Sequence, residues 1–166
     1  MKQNSSPLLL LALLTGCYVT LVAGTASQLP ERVATQFGLH GGGNWMSRGA
    51  TAVGFEVLAF VPVLIAVLAL VMGRLPTGGF NLPHRDYWLA PERRAQTVAW
   101  LSRQLLWMGC LMILFMAGIY WLIVLANRVT PPQLPMNLFV PLLAGLFGGI
   151  AIWIVRLYIH FRKPSG

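Results

Sequence analysis

Charged residues are scarce in this sequence, and acidic residues are the scarcest. Of the 166 residues, 10% are charged, four are Asp or Glu, and 57% are hydrophobic. A typical soluble domain is about 25% charged, so this composition is far from that class. It also excludes a disordered chain, which lacks apolar surface. The length predicts a single domain over residues 1–166.

Cysteine and histidine are also too few to indicate a disulfide or a metal centre. Cys17 and Cys110 both lie inside apolar runs, where a cysteine is expected to pack as a small buried hydrophobe. His40, His84 and His160 show no spacing typical of zinc ligands. We therefore expect no metal site and no cofactor.

What the sequence does contain is four long apolar runs. They cover residues 8–26, 51–73, 105–126 and 136–155, and their single charged residue is Glu56. A transmembrane helix needs about 20 apolar residues, since each rises ~1.5 Å through a core about 30 Å thick. The pattern predicts an all-α membrane protein with four transmembrane helices, an outer loop over 27–50 and a cytoplasmic loop over 74–104.

The basic residues are divided unequally between the two sides of this arrangement. An even number of spans puts both termini on one side, where nine Lys and Arg residues fall. The other side holds Arg32, Arg48 and Arg128. Because basic residues concentrate on the cytoplasmic side, both termini are predicted to be cytoplasmic. The net charge of +8 is thus an orientation signal, and no accompanying motif indicates nucleic-acid binding.

The N-terminus has an alternative interpretation. Residues 14–17, Leu-Thr-Gly-Cys, resemble the lipobox that precedes the acylated cysteine of bacterial lipoproteins. The apolar run continues past Cys17 through Tyr18 and Val19, whereas a lipoprotein normally turns polar there. This continuation favours a full span over cleavage, and either outcome places residues 27–50 on the outer side.

The two polar loops contain turn and helix signals. In the outer loop, Pro30 ends the first helix, residues 33–37 are predicted to be extended, and the glycines at 41–43 supply turns. In the inner loop, Pro91 followed by Glu92 is a typical helix start. A helix from there to Ala126 would be about 52 Å long, so its first turns must extend beyond the membrane core.

Both loops resemble a known family. Residues 29–37, Leu-Pro-Glu-Arg-Val-Ala-Thr-Gln-Phe, are similar to the pattern Leu-Pro-x-x-Val-Pro-Thr-His-Phe of the bacterial domain of unknown function 1648. That pattern continues with a Gly-rich turn and Asp-Gly-Trp-x-Ser-Lys/Arg. Residues 81–94, Asn-Leu-Pro-His-Arg-Asp-Tyr-Trp-Leu-Ala-Pro-Glu-Arg-Arg, resemble the segment Asn-Ile-Pro-Asn-Lys-Asp-Tyr-Trp-Leu-Ala-Pro-Glu-Arg-Arg of its small members. The second match is the more specific.

The resemblance implies a bacterial inner-membrane protein related to the SdpI-like immunity and signalling proteins. Its implied role is non-enzymatic, through recognition of a peptide or a partner membrane protein. At three positions Ala34, Gln36 and Asn44 replace the family's Pro, His and Asp. If the His and Asp of other members bind a metal or a proton, this chain has lost that ability. The residues expected to contact a partner or ligand are Gln36, Phe37, Asn44, Trp45, Arg48, Glu56, Asn81, His84, Asp86, Tyr87, Trp88, Glu92 and Arg93.

The inner-loop candidates also have a purely structural interpretation, which we favour. They form an interfacial segment with salt bridges inside the loop and with Tyr87 and Trp88 at the lipid headgroups. A nucleophile with a supporting base is not evident there, so no catalytic residue is assigned. A docking surface for a partner is the alternative.

Features of the second span support a different function. Glu56 and Pro62 would suit a small transporter or channel subunit, because carboxylates inside membranes often relay protons or ions. Glu56 could instead reach the headgroups or pair with Arg32 or Arg48. Pro62 lacks an N–H and should kink the helix.

The fourth span contains a Gly-x-x-x-Gly step at Gly145 and Gly149. Small residues at this spacing let two helices approach closely. The step predicts either a homo-oligomer contact or close packing within the bundle.

Overall fold

The computed structural model describes residues 5–38 and 41–162. Its helices are α1 (Ser5–Thr25), α2 (Arg48–Leu58), α3 (Phe60–Val71), α4 (Arg85–Trp88), α5 (Pro91–Ala126) and α6 (Met136–Phe161). Single-turn 3-10 helices lie at Ala26–Gln28, Met72–Arg74 and Thr77–Gly79. The short strands are β1 (Arg32–Ala34), β2 (Phe37–Gly38), β3 (Gly41–Gly42) and β4 (Trp45–Ser47).

Within the described ranges, four helical segments are long and apolar enough to cross a membrane. They run Ser5–Gln28, Arg48–Arg74, Pro91–Ala126 and Met136–Phe161. The predicted all-α class and its four apolar segments are therefore confirmed, and each segment contains the corresponding apolar run. The predicted helix start at Pro91 is also confirmed, since α5 begins there and continues for 36 residues.

Helix α5 is the centre of the bundle and packs against α1, α3 and α6. Many of its buried residues recur every three or four positions along one face of the helix, and others, such as Gln104 and Leu122, lie on the opposite side. The first set includes Leu106, Cys110, Ile113, Tyr120 and Val124. On α1 the buried residues follow the same spacing. The two faces meet in one core cluster.

The second apolar segment is interrupted, as Pro62 predicts. Helix α2 ends at Leu58, and α3 begins at Phe60. Pro62 has no N–H to donate to the carbonyl four residues earlier, and its ring is fully buried among neighbouring helices. At the break, the N–H of Ala59 donates to the carbonyl of Glu56 at 2.9 Å. The kink is therefore a packed feature of the fold.

The predicted extended segment in the first loop forms a hairpin with the residues that precede α2. Strand β1 pairs antiparallel with β4, and β2 pairs antiparallel with β3. Between these pairs, the N–H of Thr35 donates to the Asn44 carbonyl at 2.8 Å and that of Gly43 to the Gln36 carbonyl at 2.7 Å. We call residues 29–38 and 41–48 the hairpin module, and the end of the bundle that it covers the hairpin end.

The two glycines of the Gly-x-x-x-Gly step differ in their surroundings. A Cβ at Gly149 would lie 2.8 Å from Cδ2 of Leu111, so this glycine permits α6 to approach α5. A Cβ at Gly145 would meet nothing within 4 Å. Gly149 is thus used for packing within the chain, whereas Gly145 faces open space.

The two cysteines also differ, and one prediction about them is wrong. Cys110 is buried as expected, but Cys17 is exposed. The neighbouring Tyr18 is buried in the core, and successive residues on a helix point about 100° apart. Cys17 therefore lies off the packed face of α1. This helix continues unbroken through the lipobox-like residues to Thr25.

Candidate functional site

The hairpin module is attached to the bundle through its inner strand. Asn127, which follows α5, accepts a hydrogen bond from the Ala34 N–H on Oδ1 at 2.8 Å. Its Nδ2 donates to the Ala34 carbonyl at 3.0 Å and to the Ile123 carbonyl at 2.9 Å. One side chain thus ties β1 to the end of α5.

Apolar burial and helix capping add to this attachment. Within the module, Leu29, Val33 and Ala34 are fully buried. At its other end, the N–H of Arg48 donates to the Glu31 carbonyl at 3.0 Å. The Ser47 hydroxyl accepts from the Ala50 N–H at 3.2 Å, which caps the first turn of α2. The module is therefore a fixed part of the fold.

The module also carries the outer-loop residues that the sequence indicates as candidates. Gln36 and Asn44 are exposed, Phe37 and Arg48 are half-buried, and Trp45 is 43% exposed. The strand pairing places Trp45 directly opposite Ala34. The predicted candidates of the first loop are therefore brought together on one hairpin. His40, which the sequence analysis considered as a metal ligand, lies outside the described residues.

Glu56 lies on α2, outside the hairpin module, and is half-buried. Of the two alternatives for this side chain, pairing with Arg32 or Arg48 does not occur, because in residues 5–38 and 41–162 no Lys or Arg nitrogen lies within 4 Å of its carboxylate. Glu56 is thus an unpaired acid within the described part of the chain.

Two tyrosines that are not among the sequence candidates form hydrogen bonds between helices at the hairpin end of the bundle. The hydroxyl of Tyr18 donates to the Phe55 carbonyl at 2.6 Å, and that of Tyr120 donates to the Val22 carbonyl at 3.2 Å. Thr25 donates to the Tyr120 oxygen at 3.0 Å, and the Phe55 and Tyr120 rings pack edge to face. A tyrosine inside an apolar run needs a hydrogen-bond partner, which is the signal that could have identified them.

The inner-loop candidates lie at the other end of the bundle, which we call the loop end. Asn81, His84, Asp86, Glu92 and Arg93 are exposed. The predicted salt bridge inside the loop is confirmed between Arg85 Nε and Asp86 Oδ1 at 3.8 Å. The guanidinium of Arg93 lies 4.1 Å from the centre of the Tyr87 ring.

Trp88 also packs against the C-terminal end of α6. Its ring stacks on His160 with centroids 5.2 Å apart, and His160 in turn lies parallel to Trp100 at 3.8 Å. Phe161 packs edge-on to both tryptophans. We call Trp88, Trp100, His160 and Phe161 the aromatic cluster. It joins the loop to the last turn of α6, a contact between residues too distant in sequence for any local pattern to indicate it.

In the part of the chain that the structure describes, no three His, Cys, Asp or Glu side chains lie close enough together to hold one metal ion. Comparison with protein-family models, curated proteins and solved structures finds no match to this chain. The resemblance of the two loops to the domain of unknown function 1648 stays a prediction from the sequence.

Proposed function

We propose that this chain is a four-span protein of a bacterial cytoplasmic membrane, with both termini in the cytoplasm. Four apolar helical segments support the membrane location. The excess of Lys and Arg around the termini and the loop end supports the orientation. The hairpin module is then on the outer face of the membrane, and the aromatic cluster is on the cytoplasmic side.

Cysteine labelling tests this orientation. In a background carrying Cys17→Ala and Cys110→Ala, we would introduce Gln133→Cys at the hairpin end or Gln96→Cys at the loop end. A membrane-impermeant maleimide should label the first in intact spheroplasts and the second only after lysis. The reverse pattern would overturn the orientation. Recovery of the chain in the carbonate-soluble fraction would overturn the membrane location itself.

We further propose that the hairpin module recognises a membrane-active peptide or a partner membrane protein, in an SdpI-like accessory, immunity or sensing role. The observation that carries this proposal is that the hairpin module is anchored to the bundle and still displays apolar side chains. Asn127 holds the Ala34 backbone of β1, while the side chains of Trp45 and Met46 on β4 remain partly exposed. A rigid surface that displays tryptophan is favourable for binding, because little conformational entropy is lost.

Deletion of the gene followed by challenge with membrane-active peptides tests this role. We expect increased sensitivity in the deletion strain, and restoration by the intact chain but not by Trp45→Ala. Trp107→Ala is the matched control, because Trp107 is exposed to a similar extent on α5. Unchanged sensitivity, together with no partner lost on Trp45→Ala in affinity capture, would count against the proposal.

The alternative is a small transporter or channel subunit that uses Glu56. The half-buried carboxylate lies three residues before the break at Ala59, and broken helices are typical of ion sites in transporters. Reconstitution in liposomes with a pH-sensitive dye tests this alternative. Proton or ion flux that is present in the natural chain and lost in Glu56→Gln would favour it, and absence of flux in the natural chain would remove it.

A further inference from the structure

We propose that the cleft between the cytoplasmic ends of α1, α3 and α5 binds an anionic phospholipid of the inner leaflet. Arg94 holds the phosphate headgroup, and one acyl chain lies between α1 and α3. This inference rests on the proposed membrane location and is independent of the role of the hairpin module.

The headgroup end is a cavity of about 950 Å³. Its walls come from the first turn of α1, the end of α3 and the first turns of α5. Among the described residues that line it, Arg94 is the one charged side chain, and Thr77 and Ser102 are polar neighbours. The cleft is therefore positive and contains no carboxylate in its described lining.

The guanidinium of Arg94 has donors left for an anion. Its Nη2 donates to the carbonyls of Leu75 at 2.6 Å and Gly73 at 3.4 Å. Its Nε is buried, whereas its Nη1, which is not among the buried atoms, makes no hydrogen bond within the described residues. A guanidinium carries five N–H groups, and a phosphate supplies both the missing acceptors and the opposite charge.

The acyl end is a second cavity of about 330 Å³, which shares Leu8 and Leu70 with the first. Its walls are almost entirely apolar, and they include Ala12 and Pro62. The hydroxyl of Thr15, its one polar lining side chain, is already used in a bond to the Leu11 carbonyl at 2.8 Å. This end therefore suits hydrocarbon.

The length of the helix beside the two cavities matches the thickness of one membrane leaflet. From Pro62 to Gly73 the α3 segment rises about 16 Å, which is close to half of the ~30 Å hydrocarbon core. A ligand with an anionic head and a single-leaflet chain uses both cavities at once. Inorganic phosphate would use the Arg94 end alone, so the lipid is the occupant that matches the whole cleft.

Native mass spectrometry of the delipidated full-length chain tests the site. We expect phosphatidylglycerol to be retained about tenfold more than phosphatidylcholine with the same acyl chains, as befits one charge-assisted contact. Arg94→Gln should remove this preference, and Arg94→Lys should restore part of it. Ala12→Trp, which fills the apolar slot, should lower retention of both lipids.

The control variants make the same change of charge or side-chain size at positions that do not line the cleft. Arg85→Gln removes an exposed arginine of the same loop, and Ala23→Trp adds the same bulk on an exposed part of α1. Both should retain phosphatidylglycerol like the natural chain. If Arg94→Gln does not fold, as judged by circular dichroism, Ala12→Trp and Arg94→Lys still decide the question.

Three results would overturn the site. The first is equal retention of the two lipids by the natural chain. The second is retention in Arg94→Gln and Ala12→Trp that equals that of their controls. The third is a rise in melting temperature on adding inorganic phosphate as large as that on adding phosphatidylglycerol, which would assign the cleft to the free anion. Carbonate extraction is carried out before the lipid measurements. A chain that remains in the membrane fraction but shows no lipid preference would contradict the lipid site and leave the membrane location intact.

Discussion

Asn127 and Ala34 form two hydrogen bonds between one side-chain amide and one residue's backbone. The Asn127 oxygen accepts from the Ala34 N–H at 2.8 Å, and its nitrogen donates to the Ala34 carbonyl at 3.0 Å. The amide therefore occupies the place of a neighbouring strand. A buried backbone N–H and C=O must be paired, and this side chain pairs both at the point where α5 ends.

Replacing Asn127 by Ala should loosen the hairpin module. Three hydrogen bonds are lost, two to Ala34 and one to the Ile123 carbonyl. The Ala34 backbone is then left unpaired in a buried site, which costs about 1–3 kcal/mol. We expect faster hydrogen exchange of the amides in residues 32–38, measured by mass spectrometry. Asn137→Ala removes an exposed asparagine on α6 and is the control. Equal exchange in the two variants would contradict the anchoring role.

Gly42 should be intolerant of a side chain. A Cβ there would lie 2.5 Å from Cβ of Ala34, which sits on the strand and cannot swing away. At Gly43 the nearest atom, the Gln36 carbonyl oxygen, would be 3.8 Å away. We expect Gly42→Ala to destabilise the hairpin by about 1–3 kcal/mol, and Gly43→Ala to have a much smaller effect. Protease sensitivity of the first loop measures the difference, and similar sensitivity would show that the contact is not restrictive.

Removal of the Tyr18 hydroxyl should weaken the bundle without changing its shape. Tyr18→Phe leaves the Phe55 carbonyl without the donor that lies 2.6 Å away. Interhelical hydrogen bonds inside membranes contribute about 1 kcal/mol. We expect a lower unfolding midpoint in detergent for this variant and an unchanged midpoint for Tyr158→Phe, because Tyr158 is exposed on α6. A midpoint unaffected by either substitution would show that the bond contributes no net stability.

The aromatic cluster should hold the loop against α6. His160→Leu replaces the imidazole by a non-aromatic side chain of similar size. It removes the stacking on Trp100 and Trp88, worth about 1 kcal/mol per aromatic pair. We expect faster hydrogen exchange in residues 81–90. Ile159→Ala, at the exposed neighbouring position, should leave this exchange unchanged. Unchanged exchange in His160→Leu would mean that the loop is held by other contacts, such as that of Thr97 with the Trp88 carbonyl.

Several elements of the fold could be predicted because their causes are local. Apolar runs of sufficient length predict the four helical segments, and the Pro91–Glu92 pair predicts where α5 begins. Pro62 predicts the break between α2 and α3, since the missing N–H acts on its own helix. The grouping of Gln36 and Asn44 also follows from short-range pairing within the loop.

Other features could not be predicted because their causes join distant residues. Glu56 has loop arginines close in sequence, yet no Lys or Arg of the described residues lies within 4 Å of it. Trp88 stacks on His160, which lies on another helix far along the chain. The sequence predicts that Cys17 is buried, but it is exposed, because the rotation of α1 about its axis decides which of its faces packs against α5.

The sequence by itself determined the helical class, the apolar segments and the positions where helices start and break. These depend on hydrophobic runs and on prolines, which act within a few residues along the chain. Tertiary structure alone decided which polar groups meet: Asn127 with Ala34, Tyr18 with Phe55, and Arg94 with the carbonyls at the end of α3. Such groups must find a partner wherever they are buried, but composition does not say which one, because the choice depends on how the helices pack.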